Sequence, residues 1–250
     1  MGIFVKNDDQ IAIMRTAGKI CSGAHETLAR HIRPGITTGE LNEIAHEYIR
    51  GQGATPSFLG YRGYPAAACI SINNEVIHGI PGMRKLKNGD IVSIDIGVNY
   101  KRFHGDAART HAVGTISEKH RKLINATEQA FFEALGHMRA GSRLHDLSAA
   151  IEDYIDLQGF SIVEEWCGHG IGRQIHEDPQ IPNTRQEKRG PRLSRGMTLA
   201  VEPMVNVGTG ETTTLQDTWT VVTSDGEYSA HYENTVLITD GEPDILTLWG

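Results

Sequence analysis

Cysteine is scarce in this chain, with only three among 250 residues. Cys21, Cys69 and Cys167 lie too far apart to make a CxxC pair, so neither a disulfide framework nor a thiolate zinc site is indicated. Long apolar runs are missing too. Nothing approaches the length that spans a bilayer, and the opening MGIFVKNDDQ has no apolar signal core, so the expectation is a soluble cytoplasmic protein without membrane contact. Positive charge is in deficit, 24 Lys and Arg against 31 Asp and Glu, for a formal net charge of -7. That balance argues against nucleic-acid binding, and the basic run at 185–195 is read as a solvated loop. Low-complexity sequence and Ser/Pro/Gly linkers are also lacking, so residues 1–250 are read as a single domain, long enough to bury a sizeable core.

What is present is periodic. Asn7 with Gln10, and Thr37 with Glu40, form capping-box pairs. The first opens a helix whose apolar positions Ile11, Met14, Ala17, Cys21, Ala24 and Leu28 recur at helical spacing, with Pro34-Gly35 as its stop. The second opens a helix with Leu41, Ile44, Tyr48 and Ile49 on one face, ending at Gly51. Two more helices are predicted at 117–137 and 144–158, and strands at 67–72, 91–98, 160–165, 197–202, 217–222 and 232–239. Adding 106 to the first segment carries Arg33 to Arg139, Gly35 to Gly141, Leu41 to Leu147, Tyr48 to Tyr154 and Ile49 to Ile155. One constant offset over such a stretch predicts a duplicated helix, helix, strand unit, in halves of roughly 8–113 and 117–240. The fold class is therefore α/β, in the α+β sense, with a largely antiparallel sheet.

The chemistry lies in ionisable groups placed where they are costly. Asp95 interrupts the apolar run IVSIDIGV, and Asp106 follows eleven residues later at the start of another predicted strand, beyond a turn that could close a hairpin. Two buried acids side by side need something positive. Lys101 and Arg109 would make an ordinary ion pair. His169 in CGHGIG, Glu202 in LAVEPM and Glu233 in HYENT share the oddity, each in or beside an apolar strand or Gly-rich turn. A lone strand acid such as Glu233 is usually an edge residue facing water, whereas Pro203 suggests a strand end at a cleft for Glu202. If all five converge, like charges about 4 Å apart repel by roughly 4 kcal/mol per pair at an effective dielectric near 20. Two divalent cations would cancel four negative charges, and an oxygen-rich set with one imidazole suits Mn, Fe(II), Co or Zn.

The segments SIDIG, HGDAART, GHGIG, AVEPM and YENT, preceded by VIHGIP, together resemble the signature set of the type I methionine aminopeptidases. The likeness runs from the first helix to about Leu246. It implies the pita-bread fold, in which two pseudo-symmetric helix, helix, strand halves surround a curved, largely antiparallel sheet. It also implies that Asp95, Asp106, His169, Glu202 and Glu233 ligate two divalent metal ions, with Glu202 shuttling a proton from water to the leaving amine. By the same resemblance His176, in QIHEDP, hydrogen-bonds the substrate carbonyl, and His78 contacts the backbone beyond the scissile bond. Phe58, Tyr61, Tyr64, Cys69, Ile175 and Trp219 fall at or beside methionine-pocket positions. Asn73, Glu75 and Ser229 match an auxiliary monovalent-cation site. In isolation each histidine could equally cap a turn and each apolar residue pack a core. The implied activity is removal of the initiator methionine from nascent proteins and peptides, with a small second residue preferred, by metal-activated water attack on the first peptide bond. The implied enzyme is a monomer whose contact with the ribosome, if any, is transient.

The chain also departs from the pattern. His231 stands where relatives commonly carry Gln, Asn234 where they carry His, and Ile175 where they carry Phe. It lacks the N-terminal zinc-binding extension of eukaryotic cytosolic relatives and the long insertion of type II enzymes, so the compact bacterial form is expected. Three rival readings remain at this level. A proline-directed aminopeptidase or prolidase-like enzyme of the same fold usually carries a large N-terminal domain. A catalytically dead binding module of this fold typically loses ligands, and all five are present. A two-metal phosphoesterase would be expected to show a Gly-rich phosphate loop with an adjacent Lys, which is missing.

Overall fold

The computed structural model describes residues 2–248. Its helices are α1 (Asp8–Ala29), α2 (Thr38–Gly51), α3 (Glu118–Leu135) and α4 (Leu144–Gln158). Both capping boxes close as predicted: Gln10 N donates to Asn7 Oδ1 at 3.0 Å, and Glu40 N to Thr37 Oγ1 at 3.1 Å. α1 ends at Ala29, ahead of the Pro34-Gly35 stop. α4 has no side-chain cap. Its first free N–H groups are satisfied by another segment, Leu144 N donating to Pro191 O at 2.9 Å and His145 N to Arg189 O at 3.1 Å. The basic run at 185–195 is therefore more than a solvated loop, since its backbone starts a helix and Arg189 Nε donates to Asp146 on that helix at 2.8 Å.

The main sheet has nine strands, ordered Thr55–Pro56, Ile91–Tyr100, Phe103–Ala112, Glu233–Leu237, Thr198–Val201, Gly168–Gly170, Glu177–Ile181, with Cys69–Ile72 also paired to Ile91–Tyr100 and Asp244–Ile245 to Glu233–Leu237. Every strand pair among the described residues is antiparallel. Several strands are shorter than predicted. The one expected at 217–222 begins only at Val221, because the Asp217 carboxylate accepts from Trp219 N and Thr220 N and ties the chain into a turn.

Strand side chains alternate between faces, and the alternation separates core from site. Val92, Ile94, Ile96, Val98 and Ala107 pack with Cys21, Leu28, Leu41 and Ile49 of α1 and α2. Leu199, Val201 and Val236 pack with Leu123, Phe131, Leu147 and Ile151 of α3 and α4. Register places both sets on one face of the sheet, so each helix pair covers its own half and the odd-numbered positions from Ser93 to Gly97 face the other way. Two glycines let α1 sit close to the central hairpin and to the C-terminal segment. A Cβ on Gly105 would lie 3.0 Å from Gly18 N, and one on Gly18 would lie 2.1 Å from Leu246 O. Gly105 directly precedes Asp106, so this contact of helix with strand also seats the acid. Among the described residues no helix is long and apolar enough to cross a membrane.

Candidate metal centre

Register between strands far apart in sequence assembles the centre. Cys69 lies opposite Asp95, Asp95 opposite Ala108, and Ala108 opposite Glu233, all in one row across the sheet. Val201 pairs with Asn234, so Glu202, the next residue, continues that row past Glu233 where Pro203 ends the ladder. The neighbouring row reads Gly97, Asp106, Thr235, Ala200, His169. Thr235 Oγ1 locks Asp106 into it, accepting from Asp106 N and donating to Asp106 O, both at 2.9 Å. Ala108 carries only a methyl group and leaves the space between Asp95 and Glu233 open.

These rows bring all five predicted ligands together. His169 Nε2 is 3.5 Å from Glu202 Oε1 and 3.9 Å from Asp106 Oδ2. Ligand atoms of Asp106, His169 and Glu233 lie within 4.8 Å of one another, and so do those of Glu202, His231 and Glu233. Asp95 lines the same cleft, and the charges of Asp106 and Glu202 act on its carboxyl group. The alternative ion pairs do not form. Arg109 donates to the backbone oxygens of Ala108 and Glu233, to Asn234 Oδ1 at 2.6 Å and to Thr247 O at 3.2 Å, while Lys101 sits at the hairpin turn with its ammonium over the Tyr100 ring. Asn234 thereby anchors the C-terminal segment to the metal strand, accepting also from Thr247 Oγ1 at 2.9 Å.

The donor set fits divalent metal. Buried Asp95 Oδ1, Asp106 Oδ1 and Glu233 Oε1 have no hydrogen-bond partner among the described residues, and an unmatched buried acceptor is costly. Burial, then mutual repulsion, pushes the carboxyls of Asp95, Glu202 and Glu233 well above the ordinary range, and burial takes Asp106 up to about 7. His169 goes the other way, down to about 3, through burial and then the neighbouring His176. Its Nδ1 faces Gly170 O at 2.9 Å. A carbonyl only accepts, so the proton sits on Nδ1 and the Nε2 lone pair faces the carboxylates. Burial and then Asp95 keep the Cys69 thiol protonated, which makes it wall rather than ligand.

A pH dependence follows. Carboxyls whose pKa is raised on folding bind more protons folded than unfolded, so ionising them as pH rises removes stability. Buried histidines with lowered pKa values oppose this below their unfolded value of 6.5. From about one pH unit above that value, where the unfolded histidines have lost their protons, only the carboxyl effect remains, running beyond the value of about 7 for Asp106. Chelated protein is expected to lose melting temperature steadily from about pH 7.5 to about 8.5, and saturating divalent metal to flatten the profile. A melting temperature that rises over this range in chelator would contradict the electrostatic account.

The centre forms the floor of a cleft of about 730 Å³. Phe58, Tyr61, Tyr64, Cys69 and Trp219 line it, as do His78 and His176. Ile175 does not reach the cleft wall; it is buried behind it with Phe58, Tyr64 and Cys69. His176 stands with its ring centroid 4.3 Å from that of His169, and its Nδ1 is 2.9 Å from the Tyr61 hydroxyl. His78 holds a left-handed backbone, φ 60°, and is flanked edgewise by Trp166 at 5.3 Å and Trp219 at 6.2 Å. Burial and then a neighbouring histidine bring His78 down to about 4, and burial and then Arg62 bring His176 down to about 4, so both are neutral near pH 7. The side chains of Asn73, Glu75 and Ser229 are all engaged within the protein, Glu75 with Ile72 N and Arg84, Asn73 with Asp90 and Ile91 N, and Ser229 with Val205 O. Sequence reasoning missed Trp166, which lines the cleft directly before the CGHG segment, and Glu177, whose carboxylate pairs with buried Lys6 at 2.7 Å. An aromatic residue abutting a glycine-histidine turn was the available signal for Trp166; Lys6 and Glu177 left none, being 171 residues apart.

The chain is similar to known proteins in sequence and fold. Residues 12–240 match the model of metallopeptidase family M24. The chain is 54% identical to a methionine aminopeptidase of Clostridium perfringens over 98% of its length and 99% of that protein. The crystal structure of a methionine aminopeptidase from Rickettsia prowazekii superposes with a TM-score of 0.97 at 38% identity, covering 99% of this chain and 100% of that one. A Xaa-Pro dipeptidase from Bacillus anthracis is more distant, with a TM-score of 0.78 at 26% identity, and the match covers 97% of this chain but only 61% of that one.

Proposed function

Because the chain belongs to metallopeptidase family M24 and, within it, to the methionine aminopeptidases of pita-bread fold, we propose that the cleft over Asp95, Asp106, His169, Glu202 and Glu233 is where it removes N-terminal methionine. The observation that carries this reading is the convergence of four carboxylates without cationic partners and one neutral imidazole at the floor of an apolar-walled cleft. Those five side chains would hold two divalent ions, Mn, Fe(II), Co or Zn being the fitting class. Bound there, the ions supply an activated water at neutral pH and polarise the scissile carbonyl.

The chain's own groups account for the rest. The acidic floor attracts a free α-amino group, which restricts cleavage to chain ends, and the wall of Phe58, Tyr61, Tyr64, Cys69 and Trp219 suits an unbranched, polarizable side chain such as methionine. Glu202, at the end of its strand and largely buried but lining the cleft, takes the water proton and returns it to the leaving amine. The Tyr61 hydroxyl lies within hydrogen-bond reach of His176 Nδ1; when it donates there, His176 carries its proton on Nε2 and offers it to the carbonyl oxygen as charge develops. His78 contacts the peptide backbone beyond the scissile bond. A small second residue is preferred because Trp166 and Trp219 close in on His78 there. All of these groups come from one chain, so the site as proposed needs no residue from a second copy. Residues 8–113 and 117–240 are read as two related halves of one domain, a reading supported by the separate sheet halves that α1–α2 and α3–α4 cover.

The test is release of free methionine from Met-Ala-Ser by metal-loaded protein, beside Xaa-Pro peptides. Methionine release that stops on chelation is expected. Preference for Xaa-Pro peptides would transfer the assignment to the proline-directed relatives, and inactivity with all four metals would leave a binding module.

A further inference from the structure

His231 ends the Ser229–His231 strand two residues before Glu233. It is 2% exposed, and its Nε2 has no hydrogen-bond partner among the described residues. That nitrogen lies 3.4 Å from Glu202 Oε2, while the other oxygen of the same carboxylate lies 3.5 Å from His169 Nε2. Glu202 thus stands between two imidazole nitrogens at nearly equal distances. The separation is informative. An N–H···O hydrogen bond has its mode near 2.9–3.0 Å, whereas two donor atoms each about 2.1 Å from a shared ion at the tetrahedral angle lie about 3.4 Å apart. His231 meets Glu202 at the second spacing, as His169 does. Glu233 completes the set: its ligand oxygen lies within 4.8 Å of those of Glu202 and His231, and its buried Oε1 is unmatched.

We propose that His231 is itself a metal ligand, its Nε2 joining Glu202 and Glu233 at one cation position so that the centre carries two imidazoles. This rests on the metal-site reading above and adds a ligand to it. The chemical consequence is selectivity. Imidazole suits Zn, Fe and Ni, whereas carboxylate, carbonyl and water suit Mg and Mn, so a second imidazole biases the site toward the former class.

The full chain loaded with Co(II) tests this without reference to turnover. X-ray absorption at the cobalt edge, together with proton NMR of paramagnetically shifted imidazole N–H signals, counts coordinating imidazoles at full occupancy. Two are expected in the wild-type chain and one in His231→Gln, with the ratio of Co(II) to Mn(II) affinity falling about tenfold in the variant. A count of one in the wild-type chain overturns the proposal, and that measurement stands even if the variant does not fold. An unchanged count in a folded variant, with both ions weakened equally, also overturns it and leaves His231 as a residue that only positions Glu202. Failure of the wild-type chain to take up cobalt would bring down the metal-site reading as well, which separates the two failures.

Discussion

Asp106→Asn is expected to reduce methionine release by about a thousandfold or more, because even outer partners of metal ligands cost 10–100-fold when changed. Asp106 is also expected to show an opposite effect on stability. It sits at the centre of the acidic set, and its charge contributes to the raised pKa values of Asp95, Glu202 and Glu233. The amide is isosteric, and both backbone bonds to Thr235 survive the change. In chelator the variant is therefore expected to melt above the wild-type chain near pH 7.5, where the wild type carries the repulsion unrelieved. In metal the order reverses. A ligand at 100 times its Kd stabilises by about 2.7 kcal/mol, a gain open to the wild type and lost with the ligand oxygen. Paired thermal melts with and without Co(II) read both signs. A metal-induced shift of wild-type size in the variant, or activity within tenfold of wild type, would remove Asp106 from the centre.

His176→Ala should lower kcat by about 10²–10³, the range for removing one donor to a developing oxyanion, with little change in KM. The structure supplies the reason for assigning the loss to kcat. The His176 ring is neutral and stands beside that of His169, and its Nδ1 is already engaged by the Tyr61 hydroxyl, so Nε2 is the atom left for the substrate. Tyr61→Phe removes the group that sets the tautomer but not the imidazole. Its loss in kcat should therefore fall between those of the wild type and His176→Ala. Steady-state kinetics on one peptide, with kcat and KM resolved, decides the matter. A change confined to KM in His176→Ala would make the ring a ground-state binding group, and a Tyr61→Phe loss larger than that of His176→Ala would refute the tautomer argument.

Some of this could be read without coordinates because its cause is local. The capping boxes at Asn7 and Thr37 depend on residues three apart, and both close. Asp95, Asp106, His169, Glu202 and Glu233 stood out because each places a polar group where its own neighbours call for burial, and that cost is visible within a few residues. The turn at Asp217 was not visible in the same way, since the strand propensity of its neighbours concealed a carboxylate that captures two backbone N–H groups. Arg109 and Lys101 were plausible partners by proximity in sequence. The fold sends Arg109 to the backbone of the neighbouring strand and leaves Lys101 at the turn, so the acids keep their charge for something else.

By itself the sequence determined which groups are out of place and that they must be compensated, because hydration cost and helix capping belong to short stretches of chain. Only the tertiary structure decided that they share two adjacent rows, with Ala108 leaving the gap, Ile175 behind the wall and His231 facing Glu202. Register between strands more than a hundred residues apart is set by packing of the whole sheet against its helices, and a slip of one residue would turn every ligand to the opposite face.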